Sequence, residues 1–309
     1  MVGPTGIVVN PLAGGGRAQR QWARIRHLVL QRLKPSAVEF TSGPGEGFEL
    51  ARAMIRAGLE CVVAAGGDGT AHEAANAVLA EGRGSALGVL PLGSASDFAR
   101  SVGIPRRPEA AVEVLARGVV ASVDVGEIRS ATSGRRFFLN VASFGLGAAV
   151  ARRLRASEAR SWSPWRYFRA VLTELSCHKP APIAIALEDA PEPVSGPVTH
   201  VAVGNGRFQG AGMELCPTAR LDDGWLDVTV IRPVGVPDLL RSVHWLYRGM
   251  ISRHPRVERY RARRLLAESS GSVEVETDGE PFGSLPVEVR VLPRVLRLIA
   301  PSVRPSTAT

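Results

Sequence analysis

The stretch Gly66-Gly67-Asp68-Gly69-Thr70 follows an apolar run, Cys61 to Ala65, and precedes a segment whose apolar residues recur with helical spacing. This order predicts a strand, a glycine turn and a helix. Such a turn brings backbone N–H groups and the positive end of the helix close to a phosphate chain. Asp68 would repel phosphate unless a divalent cation bridges them or the carboxylate positions the group to be phosphorylated. The turn therefore indicates nucleotide chemistry, and the alternative is a tight turn with Asp68 as a helix cap.

Two further predicted junctions of strand and helix carry glycine or hydroxyl residues. One is Asn10-Pro11-Leu12-Ala13-Gly14-Gly15-Gly16, and the other runs from Pro91 to Arg100. Because the carboxyl ends of parallel strands share one edge of a sheet, Asn10, Asp68 and the segment 94–97 are expected to converge on one crevice.

These segments together resemble the diacylglycerol kinase catalytic-domain family, specifically the soluble bacterial lipid kinases related to sphingosine kinases. The resemblance covers nearly the whole chain and rests on the order and spacing of short motifs. In chain order they are Asn10-Pro11, Gly66 to Thr70, Pro91 to Arg100, Phe138 to Gly145, Gly204-Asn205-Gly206, Asp222-Asp223-Gly224 and Asp278-Gly279-Glu280. The chain departs from the family at Ser94 and Ser96, where threonine and asparagine are usual. A serine cannot replace both hydrogen-bonding functions of an amide.

The composition limits the class of protein. A length of 309 residues with 45% hydrophobic content permits two domains with substantial cores. No run approaches the roughly 18 to 20 apolar residues of a membrane span, and the start lacks a signal-peptide pattern, so a cytoplasmic protein is expected. Three widely separated cysteines, Cys61, Cys177 and Cys216, are predicted to be buried thiols. The histidine spacing and the absence of nucleophile-elbow and Walker-type motifs argue against zinc, serine-hydrolase and P-loop chemistry.

The formal net charge of +9 comes almost entirely from arginine. It predicts attraction to an anionic nucleotide, lipid headgroups or a membrane surface, with a solvated arginine-rich surface as the alternative. Nucleic acid is not expected, because the basic residues are dispersed and no nucleic-acid-binding signature is present. The segments 152–169 and 241–264 mix arginine with aromatic residues, as helices at a membrane interface do. The alternative is that their aromatic rings pack on the fold.

The chain also changes its pattern near residue 126. Strands and helices alternate before that point, which predicts a parallel sheet covered on both faces. The predicted strands are 6–10, 37–41, 61–65 and 87–91, and the predicted helices are 17–33, 46–57, 70–80 and 107–117.

The later part is rich in short strand-like segments and predicts a mainly antiparallel domain. The predicted strands there are 137–142, 183–187, 198–203, 226–231 and 273–277, with helices at 165–177 and 237–251. The fold class is therefore α/β, with an N-terminal parallel-sheet nucleotide-binding domain at 1–126. The resemblance implies that residues 127–294 form a β-sandwich for the lipid and that residues 295–309 return to the first domain.

The resemblance also implies roles for individual residues. Asp68, Asp97 and Asp124 would form an acidic network around a catalytic Mg²⁺, directly or through water, and either Asp278 or Glu280 would accept the proton. The structural alternatives are a helix cap for Asp68, a loop cap for Asp97, a strand-end turn for Asp124 and a hairpin turn for Asp278 and Glu280. ATP would lie along a set of turn residues. These are Asn10, Pro11, Gly14, Thr41, Gly66, Gly67, Asp68, Gly69, Thr70, Ala71, His72 and Ser94.

A second, structural Mg²⁺ would be bound by the Asp223 carboxylate and the main-chain oxygens of Arg220 and Trp225, the alternative being a turn without metal. The expected function is an ATP-dependent lipid kinase acting on the hydroxyl of diacylglycerol or a related lipid alcohol. The alternatives are an NAD kinase, whose family shares the glycine turn, and a nucleotide-binding regulatory protein that has lost catalysis. The expected location is cytoplasmic, with peripheral contact to the membrane that holds the lipid. The acceptor lipid stays open, and a homodimer is one assembly that the sequence allows.

Overall fold

The computed structural model describes residues 3–156 and 164–301. Part of the predicted basic and aromatic segment 152–169 therefore lies outside the described residues. The chain divides into two compact units, one formed by residues 1–123 with 296–309 and the other by residues 124–295. No helix in the described ranges is both long enough and apolar enough to cross a bilayer.

The first unit alternates strand and helix. Its strands are β1 (Thr5–Val9), β2 (Ala37–Phe40), β3 (Cys61–Gly66) and β4 (Ala86–Pro91), and its helices are α1 (Arg17–Leu33), α2 (Glu46–Arg56), α3 (Asp68–Glu81), α4 (Asp97–Val102) and α5 (Pro108–Arg117). The strands form a parallel sheet in the order β2-β1-β3-β4, and the end of the last strand of the chain pairs with β4, also in parallel. β3 and β4 are buried along their whole length, as expected for strands covered on both faces. The predicted parallel sheet is confirmed.

Helix α3 begins at Asp68, two residues before its predicted start, so Gly69 and Thr70 belong to the first helical turn. Helix α4 was not predicted. It has six residues, which is too short a stretch for an apolar periodicity to show.

The second unit is mostly strands, and β5 enters it from the first unit. Its strands are β5 (Val120–Ser130), β6 (Gly134–Phe138), β7 (Val141–Gly145), β8 (Ala181–Leu187), β9 (Val194–Val198), β10 (His200–Gly204), β11 (Phe208–Gln209), β12 (Met213–Glu214), β13 (Leu226–Ile231), β14 (Val257–Ala262), β15 (Arg264–Ser269), β16 (Glu274–Thr277), β17 (Glu280–Ser284) and β18 (Val287–Ile299). Its helices are α6 (Leu146–Ala156), α7 (Pro164–Cys177), α8 (Val236–Leu246) and a 3₁₀ turn at Ile251–Arg253.

Most strands of the second unit form two antiparallel layers, and β11 and β12 form a separate two-stranded sheet. One layer has the order β14-β13-β10-β7-β16-β17, and the other contains β18-β15-β8-β9. Apolar side chains from both layers, among them Phe144, Val228, Ile185 and Val289, form one buried cluster. This is the packing of a β-sandwich, in which inward-facing residues alternate with outward-facing ones. The antiparallel sandwich inferred from the resemblance is confirmed.

A second buried cluster includes Val141 and Ala202 from the six-stranded layer together with Leu246 of α8. Alternate residues of a strand point to opposite faces, so this cluster lies on the face of the layer away from the sandwich core. The predicted strand at 137–142 is in fact two strands, β6 and β7, separated by Leu139 and Asn140.

The cysteine prediction is correct for two residues and wrong for one. Cys61 and Cys216 are buried, and burial raises the pKa of each thiol to about 12. Cys177 is exposed, because it is the last residue of α7.

Candidate functional site

The carboxyl ends of β3 and β4 in the first unit lie against each other. The main-chain N–H groups of Leu92 and Gly93 donate to the carbonyl oxygen of Gly66 at 2.8 and 2.9 Å. A Cβ atom at Gly93 would lie 2.5 Å from the Cα of Gly67. Two backbones can approach this closely only without a side chain, so the glycines let the two turns form one surface.

Asp68 and Asp97 are the first residues of α3 and α4, the helices that begin at this surface. Asp68 follows the N-cap residue Gly67. The Asp68 Oδ1 accepts the N–H of Phe98, in the first turn of α4, at 3.0 Å. Asp97 is 6% exposed and lies next to Phe98 in the chain. Carboxylate oxygens are the hard ligands that suit Mg²⁺, so these two side chains stay the predicted ligands of the ion in the first unit.

The other predicted nucleotide residues of the first unit fall into two groups. Asn10 and Gly14 lie in the loop after β1, where the Asn10 Oδ1 accepts the N–H of Leu12 at 3.1 Å. A Cβ atom at Gly14 would lie 2.7 Å from the Oγ of Ser94, so this loop contacts the loop after β4. The N–H of Thr41, just after β2, donates to the carbonyl oxygen of Val9 at 2.9 Å. The second group consists of buried residues in the first turns of α3, and these are Thr70, Ala71 and His72.

Arg106 lies beside these loops and was not predicted as a site residue. Its guanidinium donates to the carbonyl oxygen of Ser94 at 2.9 Å. Partial burial lowers the pKa of Arg106, the nearby charges of Arg100 and Arg17 lower it further, and Asp97 and Asp68 act in the opposite direction. Like charges gathered beside glycine turns are stabilised by a bound anion such as a phosphate chain. Arg106 follows no motif in the sequence, so only the fold reveals it.

Asp278 of the second unit binds backbone. Its carboxylate accepts the N–H groups of Leu139 at 2.8 Å, Asn140 at 2.8 Å and Val141 at 3.1 Å. Its own N–H donates to the carbonyl oxygen of Val141 at 2.8 Å. These bonds fix the connection between β6 and β7, which favours a structural role for Asp278.

Glu280 differs from Asp278 in its surroundings. It is the first residue of β17, and its side chain is 44% exposed. Its Oε2 accepts a hydrogen bond from Arg155 of α6 at 2.8 Å, and Arg155 also donates to the carbonyl oxygen of Gly279. A carboxylate that is exposed and oriented by one arginine can reach a substrate hydroxyl, so this geometry favours Glu280 as the proton acceptor.

Asp124, the third residue of the predicted acidic network, belongs to the second unit. It is buried, and its Oδ2 accepts the N–H of Gly224 at 2.6 Å while its Oδ1 accepts the N–H of Arg294 at 2.8 Å. Its own N–H donates to the carbonyl oxygen of Leu221 at 2.7 Å. Both oxygens thus bind backbone, and Asp124 fixes the turn that contains Asp222 and Asp223.

The predicted structural magnesium site lies at this turn. The Oδ1 of Asp223 accepts the N–H of Trp225 at 3.1 Å, and its Oδ2 forms an ion pair with Arg261. Burial raises the pKa of Asp223. The described ranges contain no group of three or more His, Cys, Asp or Glu side chains suited to a metal. The guanidinium of Arg261 would compete with an ion for the Asp223 carboxylate. The site formed with the main-chain oxygens of Arg220 and Trp225 stays a prediction.

An apolar pocket opens in the second unit, on the face of the six-stranded layer away from the sandwich core. Helices α6, α7 and α8 contribute Val150, Val171 and Leu246, and the strand side contributes Leu215 and Ile231. Binding pockets for small molecules are mostly lined by apolar side chains. The lining of this pocket therefore has the character of a site for an apolar ligand.

Comparison with known proteins identifies the family. Residues 4–128 match the diacylglycerol kinase catalytic domain, and residues 140–300 match the YegS C-terminal NAD kinase beta sandwich-like domain. The chain belongs to the diacylglycerol kinase catalytic-domain family of lipid kinases. The family predicted from the sequence motifs is confirmed.

Individual relatives agree with this membership over almost the whole chain. The diacylglycerol kinase of Mycobacterium tuberculosis is 31% identical over 308 residues, which cover 97% of this chain and 96% of that protein. A Pseudomonas aeruginosa protein named "Probable lipid kinase YegS-like" is 34% identical over 270 residues, which cover 87% of this chain and 86% of that protein. A crystal structure of a diacylglycerol kinase from Bacillus anthracis superposes with a TM-score of 0.72 at 20% identity, covering 97% of this chain and 98% of that one. The last comparison supports the fold alone.

One departure from the usual motif of this lipid kinase family has a structural consequence. Ser96, where asparagine is usual, has a φ of 53° and lies just before α4. Asparagine is several-fold enriched over most residues in this left-handed region. Serine therefore holds the turn at a higher backbone energy than asparagine would.

Proposed function

We propose that this protein is an ATP-dependent lipid kinase that phosphorylates the hydroxyl of diacylglycerol or a related lipid alcohol. Membership of a lipid kinase family supports phosphoryl transfer to a lipid. The observation that carries the proposal is the apolar pocket of the second unit, whose lining is made mostly of Leu, Val, Ile and Met side chains. Such a lining suits an acyl chain, whereas it would leave the polar groups of a dinucleotide such as NAD without partners.

The residues of the first unit would bind the nucleotide. ATP and Mg²⁺, when bound, supply the phosphoryl group and neutralise its charge. The carboxylates of Asp68 and Asp97 would hold the cation, and the glycine backbone at Gly66, Gly67 and Gly93 admits the phosphate chain. Arg106 would bind phosphate oxygens through its guanidinium.

The residues of the second unit would prepare the acceptor. Glu280 would take the proton of the lipid hydroxyl on a carboxylate oxygen. ATP would supply the phosphoryl group, and transfer of that group to the hydroxyl oxygen would release ADP. Arg155 would orient Glu280, and Asp278 would hold the neighbouring backbone in place.

Peripheral contact with an anionic membrane, from the cytoplasmic side, forms part of this proposal. Helices α7 and α8 line the pocket and carry Trp165 and Leu240, and Tyr247 follows the end of α8; 70%, 53% and 44% of their surface is exposed. Arg241 and Arg248 are exposed beside them. Aromatic and aliphatic groups with arginines suit the interface of an anionic bilayer, from which a lipid could enter the pocket.

The test is transfer of label from [γ-³²P]ATP into a panel of acceptors, with the organic and aqueous phases counted separately. The panel holds diacylglycerol, monoacylglycerol, a sphingoid base, a polyprenol and NAD. We expect label in the organic phase, dependent on Mg²⁺. We also expect Asp68→Asn to reduce transfer by orders of magnitude, because the amide keeps the acceptor for the Phe98 N–H but loses the charge. Label in NAD alone, or transfer unaffected by Asp68→Asn, would contradict the proposal.

A further inference from the structure

Two arginines hold the strand that begins with Glu280, the residue proposed as proton acceptor. Arg155 of α6 donates to the carbonyl oxygen of Gly279 and, at 2.8 Å, to the Oε2 of Glu280. Arg136 of β6 donates through its Nη1 to the carbonyl oxygen of Pro281 at 2.5 Å. Gly279 and Pro281 lie on either side of Glu280, and residues two apart in a chain are separated by no more than roughly 7 Å. Two guanidinium groups therefore flank Glu280.

Packing fixes Arg136 in addition to its hydrogen bond. Its guanidinium lies 5.3 Å from the centre of the Phe282 ring, within the range of a cation–π contact. The side chain is half-buried, and burial lowers the pKa of Arg136. The charge of Glu280 opposes this shift, whereas the charge of Arg155 adds to it. A cation that is partly removed from water and lies near a second cation is stabilised by an anion that binds to both.

The two carboxylates near Arg136 differ in how their charge is used. Asp278 acts on Arg136, but the oxygens of Asp278 accept three main-chain N–H groups. Backbone donors thus already stabilise the charge of Asp278. Glu280 is partly exposed, and its carboxylate is paired with the guanidinium of Arg155.

The proposed reaction changes this balance of charge. Glu280 takes the proton of the lipid hydroxyl, so its carboxyl group becomes neutral and no longer forms an ion pair with Arg155. The hydroxyl oxygen receives the phosphoryl group that ATP supplies, and ADP is released. The product is a phosphate monoester, which carries a charge of about −1.5 to −2 at pH 7. A new anion therefore forms next to the carboxyl group that has just lost its charge, and guanidinium groups bind phosphate through paired, charge-assisted hydrogen bonds.

We propose that Arg136 and Arg155 form a binding site for the phosphate group of the product lipid. Arg155 exchanges the Glu280 carboxylate for the phosphate once Glu280 is protonated. Arg136 keeps its place beside Phe282 and Pro281 and binds the phosphate with other N–H groups of its guanidinium, which has five. The inference deepens the proposed lipid kinase function and rests on it.

The test measures lipid binding without nucleotide, so it does not depend on turnover. Dihexanoyl phosphatidate and dihexanoylglycerol, which differ by the phosphate, are titrated as monomers into the full-length protein by isothermal titration calorimetry. We expect wild type to bind the phosphatidate about tenfold or more tightly than the glycerol lipid. Arg136→Gln and Arg155→Gln should each remove most of that preference. If Arg136→Gln does not fold, Arg155→Gln and Arg136→Lys, which keeps the charge but not the fork of donors, decide the question.

Two further variants distinguish a phosphate site from mere support of the strand. Arg135→Gln is the matched control, because Arg135 is the neighbouring residue of β6 but lies over the Phe137 ring and pairs with Glu127. It should keep the preference for phosphatidate. Glu280→Gln should bind phosphatidate several-fold more tightly than wild type, because the amide, like the protonated carboxyl group, carries no charge. Arginines that only held the strand would produce no such gain.

Several results would overturn the phosphate site. They are equal affinities for the two lipids in wild type, a preference that survives in both arginine-to-glutamine variants, and an equal loss in Arg135→Gln. Dihexanoyl phosphatidylglycerol, a phosphodiester, separates the product from a membrane headgroup, and binding as tight as that of phosphatidate would overturn the assignment to the product. The lipid kinase function itself fails on a different result, which is label from ATP in NAD and in no lipid of the panel.

Discussion

The carboxylate of Asp278 accepts the main-chain N–H of Asn140 at 2.8 Å. Its two oxygens also bind the N–H groups of Leu139 and Val141, so the carboxylate is surrounded by backbone donors. Glu280, two residues later, binds Arg155 and is partly exposed. One turn therefore holds two carboxylates with different surroundings, one suited to structure and one to proton transfer.

This difference predicts opposite effects of two amide substitutions. Glu280→Gln should lose most of its turnover with ATP and lipid while its melting temperature stays near that of wild type, because only the proton acceptor is removed. Asp278→Asn should lower the free energy of unfolding by about 1 to 3 kcal/mol, because an amide nitrogen faces backbone N–H groups. Steady-state kinetics and thermal melts check both. If Asp278→Asn were inactive but fully stable and Glu280→Gln were active, the assignment would be reversed.

The choice between these two carboxylates illustrates what the sequence could not provide. Asp-Gly-Glu indicates a turn, but the donors that surround Asp278 are backbone groups of a segment far away in the chain, and no side-chain pattern shows them. The strands of the first unit could be predicted because their apolar runs are bounded by glycine and proline. Helix α6 was missed, because the Gly145-Leu146-Gly147 stretch at its start indicates a turn.

Arg106 is expected to contribute to nucleotide binding. Arg106→Gln should raise the KM for ATP about tenfold or more and leave the KM for lipid unchanged, because the guanidinium beside Ser94 can bind phosphate with charge-assisted hydrogen bonds. Arg32→Gln is the matched control, since Arg32 pairs with Glu113 on the surface of the same unit. A KM for ATP that changes equally in the two variants would show a general effect of charge.

The structural magnesium predicted at Asp223 can be tested by melting without nucleotide. If the ion binds, Mg²⁺ should raise the melting temperature of wild type, and Asp223→Ala should lose that shift, since a ligand bound only by the folded state stabilises it. Arg261→Gln should enlarge the shift, because it removes the cation that occupies Asp223. A wild-type melting temperature that does not respond to Mg²⁺, with no gain in Arg261→Gln, would leave Asp223 as a residue of the turn alone.

The burial of His200 predicts acid sensitivity. Its pKa falls from 6.5 to about 4 on folding, so between those pH values the unfolded chain binds the proton and the folded chain does not. Above pH 6.5 the neutral His200 does not lower the free energy of unfolding. As the pH falls toward 4, the free energy of unfolding decreases by up to about 3 kcal/mol. Burial raises the pKa of Glu276, so the effect of Glu276 is opposite to that of His200. Above the ordinary pKa of a glutamate, the unfolded chain releases this proton more readily than the folded chain, and the stability falls as the pH rises.

Urea unfolding of wild type and His200→Leu at several pH values between 7 and 4 isolates the histidine, because Glu276 is common to both proteins. We expect a smaller loss of unfolding free energy on acidification in His200→Leu. Parallel pH profiles would mean that His200 is not kept neutral by the fold.

The central claim is that the pocket of the second unit receives the chain of the lipid that is phosphorylated. The most direct measurement is the KM for diacylglycerol in mixed micelles after the pocket is filled by Val171→Trp, compared with Ser176→Trp, which places the same indole side chain at an exposed position of α7. Each excluded methylene costs about 0.8 kcal/mol, so losing a few should raise the KM for lipid about tenfold or more in Val171→Trp, with the KM for ATP unchanged. An unchanged KM for lipid in a folded Val171→Trp, or an equal rise in Ser176→Trp, would contradict the account.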